Sequence, residues 1–420
     1  MSRRLFQVLG VAAVLLLVAL LLRLARAPLD ARTPVAGASP ATAWGEPDLQ
    51  GIWTRTTNEP LQRPARFKDR EFLTDTERAE LDNKISDIVG RESDENRRSR
   101  GTEQDVSGGY SASVFTSHLP VGRRTSLIVD PPDGRIPALT AQEQKKRNDL
   151  REYAFALLQA TDVCKNNLLA CTGWKYGPPS AQRSQAPPSY IMDGIIGGGG
   201  GGINRSDGPE DRILSERCLS SSLPDFGGFR RIVQSKGEIA IFYDVGQGQG
   251  WQRIIPISTA PHLPGNVRLW WGDSRGRWEG NTLVVDVTNF SPKSNFQGAH
   301  ENLHLVERWM RTDAETLQYT VTIEDATVWT APWTVTLDLK KQDEKANRIY
   351  AEPRCHEGNY GLIALLSGAR ESERAFAERR GPDPATMCIV IGGCGGFVRG
   401  GFADAGADAD PFQTPPPRAQ

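Results

Sequence analysis

The chain has 420 residues, with 50 lysines and arginines against 51 aspartates and glutamates, for a formal net charge of −1. That length allows one large domain or two ordinary ones, with a core that needs no staples. The charge balance removes the main electrostatic argument for a nucleic-acid partner, which needs a basic patch to neutralise phosphates. Glycine (42) and proline (28) are abundant, which favours turns and short strands over long helices.

Ser2-Arg3-Arg4 opens the chain, Leu5 to Leu22 is uncharged and almost wholly apolar, and Arg23 and Arg26 follow. As a helix this run spans about 27 Å, close to the roughly 30 Å of a bilayer core. Arginines on both flanks favour a membrane segment over a buried helix. Residues 1–27 are therefore read as a signal peptide or membrane anchor. Ala25-Arg26-Ala27 fits a cleavage site, whereas the length of the apolar run favours retention. The body is then periplasmic, or anchored in the inner membrane and facing the periplasm. Residues 28–45, rich in Pro, Ala and Thr, form a tether ahead of a body spanning 46–400.

Export changes how the six cysteines are read, because an even number in an oxidising compartment suggests disulfides. Cys164 with Cys171, and Cys388 with Cys394, are close enough for small loops, which leaves Cys218 with Cys355. This is one of fifteen possible connectivities. No CxxC spacing occurs, which argues against a zinc ribbon or a thioredoxin-type site.

Gly51-Ile52-Trp53-Thr54 opens a strand. Residues 72–89 follow a helical pattern, with Thr74 and Glu77 at capping-box spacing, and the charged run from Arg91 to Glu103 reads as a solvated loop. Thr125 to Val129 is a short strand ending in the turn Asp130-Pro131-Pro132-Asp133-Gly134. A second helix covers 140–160, again with a capping pair, Thr140 and Glu143. The glycine string 197–202 has neither the Lys-Ser/Thr nor the strand-to-helix context of a phosphate cradle, so it reads as a loop.

From Phe229 the pattern changes to short β-rich runs: Ile232-Val233, Glu238 to Tyr243, Arg253 to Ile257, Val267 to Trp271, Thr282 to Val287, His304 to Met310, Thr316 to Glu324 and Trp333 to Leu339. Turns are expected at Asp273-Ser274-Arg275-Gly276 and Glu279-Gly280-Asn281. Such a series predicts a mainly β fold, an antiparallel barrel or sandwich with a few peripheral helices. Residues 359–379 read as a helix covering one end of the sheet, with Leu362, Leu365 and Leu366 on one stripe. The tail 401–420 reads as disordered.

Several long motifs stand out: Pro47-Asp48-Leu49 with Gly51 and Trp53; the run from Arg124 to Arg135; Glu216-Arg217-Cys218-Leu219; the run from Gly272 to Asp286; and Cys355-His356-Glu357-Gly358-Asn359-Tyr360. Over residues 45–375 the chain resembles a large, mostly uncharacterised family of bacterial exported proteins. The resemblance implies export but no particular chemistry. It departs from the family after Tyr243, where Asp244 to Trp251 is glycine-rich instead of carrying a His-Asp pair, and at Arg354 before Cys355. The Gly-x-Trp opening followed by serial strands also resembles lipocalin-like (calycin) barrels.

Seven of the ten tryptophans fall between Trp251 and Trp333, which suits either a packed core or an aromatic-lined cavity. The five histidines are His118, His262, His300, His304 and His356. Strand alternation puts His304, Val306, Arg308 and Met310 on one face and Leu305, Glu307 and Trp309 on the other. A metal would need a third ligand, from His356 or Glu357, and the spacing is not that of a zinc-binding helix, so no metal or other cofactor is expected.

Acid–base chemistry fits better. Glu279 beside Trp278 is expected to be partly desolvated, with a raised pKa suited to proton transfer. His356 could serve the same purpose, oriented by Glu357, with Tyr360 as hydroxyl donor. Arg308 or Arg277 could hold an anionic group, with His304, Trp271, Trp278 and Trp309 positioning the substrate. Each has a plainer alternative: an Arg277–Glu279 ion pair, a His356 bond to a backbone carbonyl, or a Glu307–Arg308 cross-strand pair. No GxSxG elbow marks a serine nucleophile. The expectation is a cofactor-free envelope lyase or isomerase acting on a hydrophobic or aromatic small molecule in a barrel pocket. The alternatives are a non-catalytic binding or carrier protein with the same pocket, and a structural envelope component.

Overall fold

Alternation along the second half of the chain sets the architecture. In Thr316–Glu324, Leu317, Tyr319, Val321 and Ile323 are buried while Gln318, Thr320, Thr322 and Glu324 face outward. Such a strand must cover one face, and β-branched residues suit the pleated surface. The computed structural model describes residues 40–99, 119–166, 171, 174–186, 203–212, 217–219, 223–227, 229–244, 251–343, 345 and 360–388. The segments 1–27, 197–202 and 401–420 lie outside the described residues. Among those described, no helix is long and apolar enough to cross a membrane.

Among the described residues ten strands follow in chain order: β1 (Gly51–Thr54), β2 (Ile128–Asp130), β3 (Phe229–Ser235), β4 (Glu238–Asp244), β5 (Trp251–Pro256), β6 (Asp273–Glu279), β7 (Thr282–Thr288), β8 (His304–Asp313), β9 (Thr316–Glu324) and β10 (Trp333–Lys341). They pair antiparallel in the order β5-β4-β3-β1-β10-β9-β8-β7-β6, with β2 attached to β10 off this path. The single continuous path makes a nearly closed nine-stranded barrel, not a sandwich. Its two end strands meet at a narrow seam: Ile257, just past β5, bridges Gly276 of β6, and the Ser258 amide donates to the Gly276 carbonyl at 3.0 Å. A side chain at Gly276 would meet Ile257 Cδ1 at 2.7 Å and Ile255 Cγ2 at 3.0 Å, so the missing Cβ lets the seam close.

The strand expectations need two corrections. Val267 to Trp271 is not a strand; it makes only an isolated bridge, Leu269 to Phe290, and turns at Trp270-Trp271. Asp273 to Gly276 is not a turn but the first half of β6, paired with Thr288 to Val285 of β7. Gly272 causes both: at φ +66° it turns the chain into β6, and a Cβ there would lie 2.6 Å from the Thr288 carbonyl oxygen. The expected Gly280-Asn281 turn does join β6 to β7.

The helices are α1 (Asp75–Ser99), α2 (Ala141–Leu158), α3 (Asp162–Lys165) and α4 (Tyr360–Ala377). The capping box of α1 is formed: the Glu77 amide donates to Thr74 Oγ1 at 3.2 Å and the Thr74 amide to Glu77 Oε2 at 2.9 Å. The helix then runs to Ser99, through part of the expected loop, because 91–99 contains neither Pro nor Gly and is rich in Glu and Arg. Thr140 caps α2, accepting from the Glu143 amide at 3.2 Å. Cys164 and Cys171 are disulfide-bonded. Cys218 and Cys388 are also disulfide-bonded; their expected partners, Cys355 and Cys394, lie outside the described residues.

Among the described residues α4, the helix expected to cover one end of the sheet, makes its main contact with a short turn and not with a strand. Tyr360 and Ile363 of α4 are exposed, and the stripe of Leu362, Leu365 and Leu366, continued by Ala369, Ser372 and Ala375, is half-buried. The helix meets a short turn, Pro384–Thr386, and Arg370 donates to the carbonyls of Ser206 and Asp207. It is α2 that reaches the loops around the barrel, through Thr140 Oγ1 to the Thr327 carbonyl (2.8 Å) and Arg147 to the Gln297 carbonyl (2.6 Å).

Gly272→Ala combines a disfavoured backbone conformation with a backbone clash. It should cost about 1–3 kcal/mol, read as a lower urea midpoint at unchanged slope. An unchanged midpoint would show that Gly272 is not needed to start β6.

Candidate functional site

The barrel wall separates the residues expected to form one site. In β8 the side chains of Leu305, Glu307, Trp309 and Arg311 point inward and are buried, while His304, Val306, Arg308 and Met310 point outward. Trp309 therefore lies inside the barrel, and Arg308 and His304 lie outside. In β6 the inward residues are Ser274, Gly276 and Trp278, and the outward ones Arg275, Arg277 and Glu279. Glu307 and Arg308 are thus on opposite faces and are not partners.

Outside, Arg277, Glu279 and Arg308 come together across β7, because both arginines are in register with Val284. Glu279 Oε1 accepts from Arg277 Nε (3.0 Å) and Nη2 (2.7 Å), and Oε2 from Arg308 Nη2 (2.9 Å). The expected ion pair is present, but the expected raised pKa is not. Glu279 is 39 % exposed, and its hydrogen bonds from Arg277 and Arg308 hold its carboxyl below the usual range. Such a carboxylate is a poor proton donor near neutrality. Tyr360 is 76 % exposed on α4, no contact among the described residues joins it to Glu279, and His356 lies outside the described residues.

Inside, six strands build a polar belt from positions that alternation turns toward the core: Arg230 (β3), Tyr243 (β4), Arg253 (β5), Ser274 (β6), Glu307 (β8) and Tyr319 (β9), all buried. Arg253 Nη1 lies 2.7 Å from Glu307 Oε2. Tyr319 donates its hydroxyl to Glu307 Oε1 at 2.8 Å, Arg253 Nε donates to Ser274 Oγ at 2.9 Å, and Arg253 Nη1 to the Tyr243 hydroxyl at 3.4 Å. The Arg230 guanidinium is 5.6 Å from the Tyr243 ring centre, 5.9 Å from Trp309 and 5.8 Å from Tyr319, and it donates from Nη2 to Asp225 Oδ2 at 3.1 Å.

Burial sets the electrostatics of this belt. It pushes the Tyr243 hydroxyl up to about 12 and the Tyr319 hydroxyl well above its ordinary value, with Glu307 adding to both. Burial also pushes the Asp225 carboxyl up, against the pull of Arg230. It draws the Arg253 guanidinium down, but Glu307 and Tyr243 outweigh it, so Arg253 stays charged.

The belt is also short of acceptors. Arg230 Nε and Nη1, Arg253 Nη2, and the indole nitrogens of Trp251 and Trp309 are buried with no hydrogen-bond partner, against one such acceptor, Glu307 Oε2, which Arg253 meets only as an ion pair. Of the tryptophans expected to position a substrate, Trp271 stands edge-on to Tyr243 (5.0 Å between ring centres) beside Trp251 (6.4 Å), and Trp309 packs on Tyr319 (4.2 Å). Trp278 packs against the same core with its indole nitrogen unpaired. The sequence reading singled out no role for Arg230, Arg253, Tyr243 or Tyr319. The available signal was a charged residue sharing a face with apolar ones, as Arg253 does with Ile255.

A second cluster lies outside the wall. His304 Nε2 is 3.1 Å from Asp286 Oδ2, and the other oxygen of Asp286 is 2.8 Å from His262 Nε2. His262 Nδ1 is 2.9 Å from Asp273 Oδ2, which also accepts from the Leu263 amide at 2.9 Å. Both nitrogens of His262 face carboxylates, so both contacts are hydrogen bonds only when the ring carries both protons. The cluster pins the loop before β6 onto β6 and β7. Among the described residues no three His, Cys, Asp or Glu side chains are placed to hold a metal ion.

Glu307→Ala leaves Arg253 buried without its countercharge and should cost about 3–5 kcal/mol in denaturant unfolding, whereas Glu279→Gln should leave the midpoint nearly unchanged. Equal effects would contradict the inside–outside assignment. Burial raises the Asp286 carboxyl, but the hydrogen bonds from His304 and His262 prevail and hold it below its ordinary 3.8. Its stabilisation is full above that value and is lost as pH falls through the lower folded pKa. The melting-temperature gap between wild type and Asp286→Asn should therefore close in that acid range; a gap independent of pH would rule out the titration. A scan of protein-family models finds no match to the chain, and a search of curated proteins finds no relative, so the candidate site rests on its residues and their geometry.

Proposed function

We propose that this protein binds a small hydrophobic or aromatic molecule inside its barrel, in the manner of lipocalin-like barrels, within the bacterial cell envelope. The observation that carries this function is the set of buried, unpartnered donors among aromatic rings: Arg230 Nε and Nη1, Arg253 Nη2 and the indole nitrogens of Trp251 and Trp309. Buried polar groups are rarely left without a partner, so the interior is polar ground for a guest. Trp271 and Trp309 supply rigid aromatic faces beside those donors. The apolar run from Leu5 to Leu22 supports export and a membrane contact, and the disulfides at Cys164–Cys171, Cys218 and Cys388 suit an oxidising compartment. The motif resemblance to exported bacterial proteins points the same way.

One observation favours a catalytic variant of the same site. The Asp225 carboxyl is pushed up by burial while it touches Arg230, which is the environment a cofactor-free lyase or isomerase gives its proton-transfer group. Asp225 then replaces Glu279 as the acid or base.

The test is titration of the full oxidised chain with a panel of aromatic and terpenoid compounds, followed by tryptophan fluorescence and by mass spectrometry. Saturable quenching with the compound unchanged is the expected result. Consumption of a compound without added cofactor, abolished by Asp225→Asn, would establish the catalytic variant. No quenching and no consumption across the panel would remove the binding function.

A further inference from the structure

The polar belt is a closed circuit. Arg230 packs over the Tyr243 ring, the Tyr243 hydroxyl accepts from Arg253, Arg253 pairs with Glu307, Glu307 accepts from Tyr319, and Arg230 packs over the Tyr319 ring. Both arginines therefore border one shared region of the interior. What remains open in that circuit is almost entirely donor. Glu307 Oε1 is taken by Tyr319, and Oε2 pairs with Arg253 by charge at 2.7 Å without accepting a hydrogen bond, against three guanidinium nitrogens that have nothing to donate to. Asp225 is the remaining carboxyl beside Arg230, and it already accepts from both Arg230 and the Gly227 amide.

We infer that the molecule held in the barrel is an anion, a small carboxylate with an aromatic body, and that Arg230 and Arg253 recognise its charged group. This rests on the binding function proposed above and adds the chemical class of the ligand. A neutral ligand would use the same region, but a hydrogen bond between charged partners is roughly twice as strong as one between neutral groups. The orphan donors are guanidinium N–H groups set in aromatic surroundings, where water screens them least. The indole N–H groups of Trp251 and Trp309 add uncharged donors to the same region.

The experiment compares matched ligands on the full oxidised wild-type chain: benzoate, 3-phenylpropanoate and 2-naphthoate, each against its amide and its alcohol, by calorimetry and tryptophan quenching. The charge-neutral double variant Arg230→Met with Asp225→Asn is the control, since it removes the pair without stranding either charge; circular dichroism checks its fold. We expect at least one acid to bind about tenfold or more tightly than its amide and alcohol, with that preference clearly reduced in the double variant, which keeps Arg253. Equal affinity for acids and neutral analogues would overturn the anion class while leaving the binding function intact. An acid preference undiminished in a folded double variant would also overturn it, because Arg230 would then take no part in recognition. If none of the compounds binds and none in the broader panel does, water fills the belt and both proposals fall. Since the wild-type comparison needs no variant, failure of the double variant to fold leaves the proposal open to refutation.

Discussion

Arg253 lies on the strand that ends the sheet at one side, and from inside the barrel it reaches the strand that ends it at the other. Its Nε donates to Ser274 on β6 while its Nη1 pairs with Glu307 on β8. Across the outer wall the same two end strands share little more than the bridge at Gly276. The interior contacts of one guanidinium therefore supplement what the ladder lacks at the seam. Charge in an apolar interior is tolerable only when it is paired and hydrogen-bonded. Arg253 meets that condition through residues from three other strands, so the belt and the closed form of the sheet depend on each other. Tyr243 and Tyr319 owe their burial to this arrangement, and Arg230 owes its aromatic surroundings to theirs.

The wall itself divides the chemistry into two kinds. Outside, the Arg277–Glu279–Arg308 and His262–Asp286–His304 groups are partly solvated, and they tie neighbouring strands and one loop together. Inside, fewer charges carry larger consequences, because desolvation raises the stakes of each unpaired donor. A two-residue period is what produces this division. Trp309 is adjacent in sequence to Arg308, yet it stands on the opposite side of the wall.

Much of the fold was legible because strands and caps announce themselves over a few residues. The runs at 238–243, 282–287, 304–310, 316–324 and 333–339 fall within observed strands, the Thr74–Glu77 and Thr140–Glu143 pairs start helices, and Cys164 bonds to Cys171. Barrel closure was not legible as such, since nothing local states which edges meet. β6 was misassigned because Asp-Ser-Arg-Gly has turn composition, and only its pairing with β7 makes it a strand. The site was less legible still. The alternation in β8 was read correctly, with Glu307 and Trp309 opposite His304 and Arg308, but side chains from both faces were then combined into a single pocket. Arg230 and Arg253 escaped notice because a lone arginine in a strand is ordinarily a solvated one. Their meaning depends on register between strands far apart in the chain. The Glu279 expectation failed for a related reason: proximity to Trp278 in sequence is separation by a face in a strand.

The place of β1 in the sheet bears on when the molecule can be completed. Gly51–Thr54 is made early in synthesis but is held between β3 and β10, pairing Trp53 with Arg230 on one side and with Lys341 on the other. Until the distant residues of β10 exist and have come alongside, the first strand has only half a berth. Pairings so remote in sequence are slow to form because a long loop must be closed before they gain anything. A chain threaded N-terminus first through a membrane would thus stay unfinished until almost all of it had passed. For an exported protein that delay is useful, since a barrel locked at its front end too early could not be translocated.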